Sequence, residues 1–424
     1  MSLDTLLGLR CTVCAEDYDL GPARYVCDGC GPVGALDVVH DLDRISASWS
    51  PALLAADDDP TMWRWLPLLA VDPTTPRPTL TVGPSPLYDV PGLAASAGIA
   101  RLWVKDEGRL PTASLKDRAS AMAVVKATEA GMPVVTTAST GNAAAALAGM
   151  CAGSDRTAVI FVPEAAPEAK VAQLLAYGAT VVLVEGRYGD AFDLSVAAAD
   201  RYGWYNRNTG INPYMTEGKK TVALEMCEQL GFDTPDAVFV SVGDGSIIGG
   251  VHAGLAELHA LGWIDRMPRL YGVQAAGSDY LVRAFEVGED VIAKPPITAS
   301  TVADSIEADL PRDRVKAMRA VRDTGGAFVR VPDAAILAAI PALGAACGVF
   351  AEPAAAAAHA GLLAAVDNGL VGGDDRVVTI STGSGLKDVR SAMTAVATAG
   401  IAAIRIPPDI EALDRAMTAG RTGR

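Results

Sequence analysis

Residues 104–118 read VKDEGRLPTASLKDR. Pro111 ends a strand or loop in this stretch, and Ser114 is a candidate N-cap for the helix that follows. Lys116 then falls in the first helical turn, where the helix dipole disfavours a charged ammonium. Burial would act in the same direction, so both effects favour the neutral amine that a covalent imine requires. Taken alone, such a lysine is more often a solvated surface residue.

Outward from this stretch, short apolar runs alternate with longer helical patterns. This alternation predicts βαβ units and parallel sheets, hence an α/β fold. The predicted strands cover 101–105, 134–137, 158–162, 180–184, 237–242, 270–274, 327–331 and 376–381. The predicted helices cover 114–130, 141–151, 168–177, 190–202, 247–261, 334–347 and 354–368.

Length and composition narrow the class of protein. A chain of 424 residues predicts two domains with an appendage, and 50% hydrophobic residues supply a large core. The net charge of −15 comes without a basic patch, which argues against nucleic-acid binding. We find no uninterrupted apolar run of membrane-spanning length and no signal peptide, so we expect no membrane partner and a cytoplasmic location with reduced cysteines.

Three further segments place small and polar residues after a predicted strand and before a helix or turn. A helix N-terminus and a glycine-rich turn both bind anions through backbone N–H groups. Each segment alone is weak evidence, since Ser/Thr caps and glycine turns are common. The residues are Ser139, Thr140, Gly141 and Asn142 in the first segment, Gly243, Asp244, Gly245, Ser246 and Ile247 in the second, and Thr382 in the third.

Taken together, these stretches resemble threonine synthase and its relatives among the fold-type II pyridoxal-phosphate enzymes. The lysine motif of that family reads roughly K-x-E-x-x-N-P-T-G-S-F-K-D-R. This chain departs from it at Leu110 and Ala113, where the family usually has Asn and Gly. It keeps Lys105, Glu107, Pro111, Thr112, Ser114, Lys116, Asp117 and Arg118.

The resemblance implies a role for each segment. Lys116 would be the catalytic residue, binding pyridoxal 5′-phosphate covalently and moving the α-proton of a small amino-acid substrate. Asn142 would bond the cofactor's 3′-oxygen, while residues 139–142 hold the substrate carboxylate. Residues 243–247 would bind the cofactor phosphate, and Thr382 would face the pyridine nitrogen. A neutral hydroxyl there would leave that nitrogen largely unprotonated.

The resemblance also implies an architecture. We expect two parallel-sheet α/β domains with the active site between them, and a homodimer. The small α/β domain would comprise residues 116–213. The large α/β domain would comprise 41–115 together with 214–424, and residues 1–40 would form a zinc-ribbon-like segment.

One segment departs from the family pattern in a way that concerns the substrate. Threonine synthases grip the phosphate of O-phosphohomoserine with a segment resembling N-S-x-N-P-x-R-x-x-G-x-K-T. Residues 208–221 read NTGINPYMTEGKKT, so Met215 replaces the arginine. Methionine cannot bind a phosphate as a guanidinium does. We therefore expect β- or γ-elimination or replacement on an altered substrate. The alternatives are threonine synthase proper, a serine/threonine dehydratase and a non-catalytic cofactor-binding regulator.

Four cysteines near the N-terminus have the spacing C-x2-C-x12-C-x2-C: Cys11, Cys14, Cys27 and Cys30. This spacing suits two knuckles around one tetrahedral zinc ion. Four protein ligands would leave no open position, so the zinc would be structural. Four unligated thiols are the alternative.

Overall fold

The computed structural model describes residues 3–21, 24–166 and 168–421. Its strands are β1 (Leu6–Cys11), β2 (Asp17–Tyr18), β3 (Val26–Cys27), β4 (Gly31–His40), β5 (Leu87–Asp89), β6 (Arg101–Asp106), β7 (Val134–Ala138), β8 (Thr157–Pro163), β9 (Thr180–Val184), β10 (Tyr205–Asn206), β11 (Ala237–Ser241), β12 (Arg269–Ala275), β13 (Phe328–Val331) and β14 (Arg376–Ser381). Its helices are α1 (Leu42–Ser48), α2 (Pro51–Ala55), α3 (Pro91–Ala97), α4 (Lys116–Glu129), α5 (Asn142–Cys151), α6 (Glu168–Ala176), α7 (Tyr188–Tyr202), α8 (Tyr214–Gln229), α9 (Ser246–Ala260), α10 (Tyr280–Val287), α11 (Arg314–Asp323), α12 (Asp333–Cys347), α13 (Pro353–Asp367), α14 (Val389–Thr398) and α15 (Ile410–Arg421).

Two parallel sheets carry the fold. The larger has the order β13-β12-β11-β14-β6-β5, with only the edge strand β5 antiparallel to its neighbour. The smaller has the order β10-β7-β8-β9 and is entirely parallel. The central strands are continuous buried apolar runs, as expected where helices cover both faces. The predicted α/β class with parallel sheets is confirmed, while the domain boundaries at 116 and 213 stay a prediction.

A third sheet, at the N-terminus, is antiparallel and has the order β2-β1-β4-β3. Its own small apolar cluster contains Leu9, Leu36, Cys11 and Cys27. Within the described ranges, no helix is both long and apolar enough to cross a lipid bilayer.

Every strand and helix predicted from the alternation is present, but the predicted start of α4 is wrong. Ser114 does not cap α4: the N-cap is Leu115, and the helix begins at Lys116 itself. Ser114 instead forms an antiparallel bridge with Gly383, so the chain is still extended at that residue. The extended segment ties the start of α4 to the turn after β14.

Helix α8, which the apolar pattern did not predict, lies at the centre of the molecule. It is buried along almost its whole length and packs against α4 and α9. Gly218 permits the contact with α4, since a Cβ there would lie 2.3 Å from the carbonyl oxygen of Arg118. Gly254 permits the contact with α9, since a Cβ there would lie 2.8 Å from the carbonyl oxygen of Lys220.

Buried ion pairs join the N-terminal sheet to this central layer. The Lys220 ammonium lies 2.9 Å from Glu217, 2.7 Å from Glu257 and 3.2 Å from the Nε2 atom of His40 at the end of β4. Asp37 of β4 likewise lies 2.9 Å from the ammonium of Lys316. Loss of His40 or Asp37 would leave buried charged partners in the central layer without one of their contacts, so these two residues hold the N-terminal sheet in place.

We predict that Gly218→Ala destabilises the protein by about 1–3 kcal/mol, because the new methyl group must push α4 and α8 apart. The matched control is Gly344→Ala in α12, where a Cβ would meet nothing within 4 Å. That change should stabilise the protein by about 0.5–1 kcal/mol through helix propensity. Urea denaturation measures both, and equal effects of the two substitutions would contradict the close packing.

Candidate active site

Lys116 is the first residue of α4 and lies near Arg207, which follows β10 of the small sheet, and near Asp244, which follows β11 of the large sheet. Leu115 N–H donates to the carbonyl oxygen of Thr382 at 2.9 Å, which fixes the helix start beside the end of β14. Burial lowers the pKa of the Lys116 amine, although the nearby Glu352 carboxylate acts against this; the charge of Arg207 lowers the pKa further. The predicted neutral amine therefore has a physical basis in its surroundings.

Glu352 is a site residue that sequence reasoning missed. Its Oε1 atom accepts a hydrogen bond from Nδ2 of Asn142 at 2.7 Å, and its N–H donates to the carbonyl oxygen of Gly383. Burial raises the pKa of this carboxyl group to about 7, while the Lys116 ammonium acts to lower it. The available signal was a glutamate that precedes Pro353 at the start of an alanine-rich helix, an uncommon place for a buried carboxylate.

The loop of residues 139–142 borders a cavity beside Glu352. Asn142 begins α5, and the N–H of Gly141 donates to Oγ of Ser139 at 3.1 Å. Thr140, Gly141 and Asn142 line a cavity of about 100 Å³ together with Glu352 and Lys387. A Cβ on Gly383 would lie 2.4 Å from Oε1 of Glu352, so a larger residue there would displace the carboxyl group that bonds Asn142. A larger cavity, of about 340 Å³, lies elsewhere and contains none of the predicted site residues.

The glycine-rich loop of residues 243–247 forms the N-terminus of α9. Gly245 has a φ of 92°, and a Cβ there would lie 2.9 Å from the carbonyl oxygen of Asp313. Ser246, the first residue of the helix, accepts a hydrogen bond from the Lys219 ammonium at 2.5 Å. Burial lowers the pKa of Lys219 well below its usual value, and the charges of Lys116 and Arg207 lower it further. A dianion at this helix start would find backbone N–H groups and the Lys219 amine together, and its charge would favour the protonated amine.

Met215 lies on α8 with its side chain in the apolar core, where it is 1% exposed. Asn212, in the same segment, bonds the backbone with both ends of its side-chain amide. Its Nδ2 atom donates to the carbonyl oxygen of Asn206 at 2.7 Å, and its Oδ1 atom accepts from the N–H of Tyr214 at 3.0 Å. Position 215 therefore carries no charge in this chain.

The four N-terminal cysteines converge at one end of the N-terminal sheet. Their sulfur atoms all lie within 4.8 Å of one another, and those of Cys14 and Cys27 are 3.6 Å apart. Tetrahedral zinc–thiolate bonds of about 2.3 Å require sulfur atoms about 3.8 Å apart, so the geometry fits one ion. The N–H of Val13 donates to Sγ of Cys11, and the N–H of Cys30 donates to Sγ of Cys27. Hydrogen bonds of this kind orient the ligands of a bound metal.

A second cluster with metal-binding residue types, His40, Glu217 and Glu257, does not have an open centre. The Lys220 ammonium occupies the position between the three side chains and contacts each of them. A metal ion there would have to displace a buried cation, so we interpret this cluster as structural.

Comparison with known proteins agrees with this geometry. A family model described as pyridoxal-phosphate dependent enzyme matches residues 78–383. A threonine synthase of Methanocaldococcus jannaschii is 37% identical over 91% of this chain and 94% of its own length. One of Methanosarcina acetivorans is 38% identical over 90% of this chain and 92% of its own length.

Solved structures show the same fold at lower identity. Threonine deaminase isoform 2 from Solanum lycopersicum superposes with a TM-score of 0.64 at 23% identity, covering 74% of this chain and 83% of that one. Maize serine racemase superposes with a TM-score of 0.60 at 22% identity, covering 74% of this chain and 92% of that one.

We predict that Glu352→Gln changes how stability depends on pH. The folded chain holds a proton on Glu352 up to about pH 7, whereas the unfolded chain releases it near 4.5. Stability contributed by that proton is present below pH 4.5 and is lost as pH rises to 7, by about 3 kcal/mol. The glutamine variant lacks this loss and can still accept the bond from Asn142.

Urea denaturation of the ligand-free protein at pH 4.5 and pH 8 measures the effect, and the same substitution at the exposed Glu164 gives the baseline. A difference between wild type and Glu352→Gln that does not vary with pH would contradict the raised pKa.

Proposed function

The chain belongs to the pyridoxal-phosphate-dependent enzyme family and is a relative of threonine synthases, and from that premise we propose that it catalyses elimination or replacement at the β or γ carbon of a small amino acid other than O-phosphohomoserine. Two observations support the proposal. The Lys116 amine lies near Glu352, which bonds Asn142, and near Asp244 of the glycine-rich loop, and Met215 stands where the relatives' motif has a phosphate-binding arginine. The implied homodimer stays a prediction.

The residues of the cleft fit the cofactor. The N-terminus of α9 with Ser246 and Lys219 suits its phosphate, since backbone N–H groups and a cation lie together there. Gly383 lets the Glu352 carboxyl group and the Asn142 amide pack directly against the backbone of this wall. Thr382 is nearly buried at the end of β14 and offers a neutral hydroxyl in this wall. When bound, pyridoxal phosphate supplies a carbonyl carbon for the substrate amine and an electron-withdrawing ring.

The chain's own groups then position the substrate and move its proton. The loop of residues 139–142 offers N–H groups at the start of α5 to the α-carboxylate. The Nζ atom of Lys116, with its lowered pKa, accepts the α-proton as a general base. Glu352 fixes the amide of Asn142, so this donor keeps its orientation in the cleft.

We predict that Lys116→Arg removes the visible absorbance of the bound cofactor and lowers turnover by about 100-fold or more, because a guanidinium forms no stable imine and is a poor base. The matched control is Lys126→Arg, on the same helix, where the ammonium donates to the carbonyl oxygen of Ala70. That variant should keep absorbance and turnover. A Lys116→Arg variant that keeps both the cofactor absorbance and the turnover would refute the role of Lys116.

We predict that the protein turns over O-phosphohomoserine with a kcat/KM about 30-fold or more below that of the Methanocaldococcus jannaschii relative, assayed side by side. Loss of one charged contact to a buried dianion lowers binding by about 2–5 kcal/mol. Released phosphate and threonine are measured. Turnover equal to that of the relative would identify this chain as a threonine synthase and overturn the altered substrate.

We also propose that Cys11, Cys14, Cys27 and Cys30 bind one structural zinc ion. The purified protein should contain about one zinc per chain by elemental analysis, and Cys14→Ser should reduce the zinc content and the thermal stability. Cys347→Ser is the matched control, since that thiol donates to the carbonyl oxygen of Leu343 within α12. A wild-type protein without zinc, purified without chelators, would refute the site.

A further inference from the structure

Arg207 is a buried cation that no step described above uses. It follows β10 and is fully buried. Its Nε atom donates to Oγ of Ser120 at 3.1 Å, and its Nη1 atom donates to Oγ1 of Thr209 at 3.2 Å. Its Nη2 atom is buried and has no hydrogen-bond partner in the described part of the chain. The guanidinium thus has one free donor group.

No carboxylate within residues 3–21, 24–166 and 168–421 forms an ion pair with Arg207. Burial lowers the pKa of the guanidinium to about 10, so it is still charged at neutral pH. Asp117 is near enough to act on that pKa, but its carboxylate accepts bonds from the N–H and hydroxyl of Thr112. A buried charge without a counter-ion is costly, which indicates that an anion from outside the chain completes this site.

The position of Arg207 connects it to the reaction. Ser120, its first hydrogen-bond partner, lies one helical turn after Lys116 on α4. The next residue, Asn208, accepts bonds from the N–H of Ala138 at 2.8 Å and from the hydroxyl of Thr137 at 3.0 Å, just before the loop of residues 139–142. Arg207 therefore lies between the reactive lysine and the loop assigned to the substrate carboxylate.

The other cations near Lys116 have separate tasks. Lys219 donates to Ser246 in the loop assigned to the cofactor phosphate. Position 215 is apolar and buried. Lys387 and Lys170, which line the cavity beside Glu352, bond to Gln173 and Asp304. Among these cations the buried guanidinium of Arg207 has an unpartnered donor, and it lies at a strand end, not on α8 where the relatives' motif has its arginine.

We propose that Arg207 binds a second anionic group of the substrate, a carboxylate or a phosphate beyond the α-carboxylate. This inference rests on the proposed function and narrows its substrate class to amino acids with a negatively charged side chain or leaving group. Because position 207 precedes position 215 and belongs to another element, the anion would be held at another distance from the α-carbon than in the relatives.

Three ligands with the same five-carbon skeleton test the proposal: L-norvaline, L-glutamate and L-2-amino-5-phosphonopentanoate. Each is titrated into the holoenzyme while the cofactor absorbance is recorded. In the wild type, glutamate or the phosphonate should bind at least about tenfold more tightly than norvaline, and the better of the two distinguishes a carboxylate from a phosphate site.

In Arg207→Gln, the preferred anionic ligand should lose roughly 30-fold in affinity, while norvaline changes less than about threefold. Arg207→Lys retains the charge but not the planar fork and should lose less. The matched control is Arg156→Gln, which removes a partly buried guanidinium just before β8, at the opposite end of the parallel strands of the same sheet, and should leave all three affinities unchanged.

Four outcomes would overturn the inference. A wild type without preference for either anionic ligand refutes it without any variant. Equal losses for norvaline and the anionic ligand in Arg207→Gln would assign Arg207 to the α-carboxylate, and loss of cofactor content would assign it to the cofactor. Unchanged affinities would leave Arg207 without a role. If no ligand, norvaline included, changes the cofactor absorbance of the wild type, the proposed function itself fails.

Discussion

Four charged side chains, buried between β6, α4 and α8, hold Lys116 in place. The Arg118 guanidinium donates to Glu107 at 2.6 Å and to Glu225 at 3.0 Å, and the Lys105 ammonium also contacts Glu225. Two cations and two carboxylates balance, so the group is neutral as a whole. Loss of one member would leave a buried charge unpaired, which typically lowers stability by about 3–5 kcal/mol.

This network explains why the lysine motif extends well beyond the lysine. Lys105 and Glu107 lie at the end of β6, and Arg118 lies two residues after Lys116, so the ion pairs fix α4 against the large sheet. Thr112 and Asp117 bond each other across the turn between them. Most of the motif residues therefore bond one another or α8 and position the start of α4.

The cleft combines groups whose usual ionisation is disfavoured. Burial lowers the pKa of Lys116 and raises that of Glu352 to about 7, and each charge partly offsets the shift of the other. Arg207 adds positive charge and lowers the pKa of Lys219, and in the described part of the chain no carboxylate is bonded to either side chain. The packing of the two parallel sheets and the central α4–α8–α9 layer holds these groups close together. An anionic ligand would relieve the excess positive charge.

Local patterns in the sequence were sufficient for most of the fold and for the family. Alternating apolar runs located the parallel strands, the motif around Lys116 identified the family, and the cysteine spacing predicted a cluster that the structure brings together. The tertiary structure alone decided the rest. Helix α8 has no apolar stripe, because its charged residues, such as Lys220 and Glu225, are buried in ion pairs with distant partners. Glu352 and Arg207 became site residues only through neighbours far along the chain, since burial and electrostatic environment depend on which segments pack together and not on local sequence.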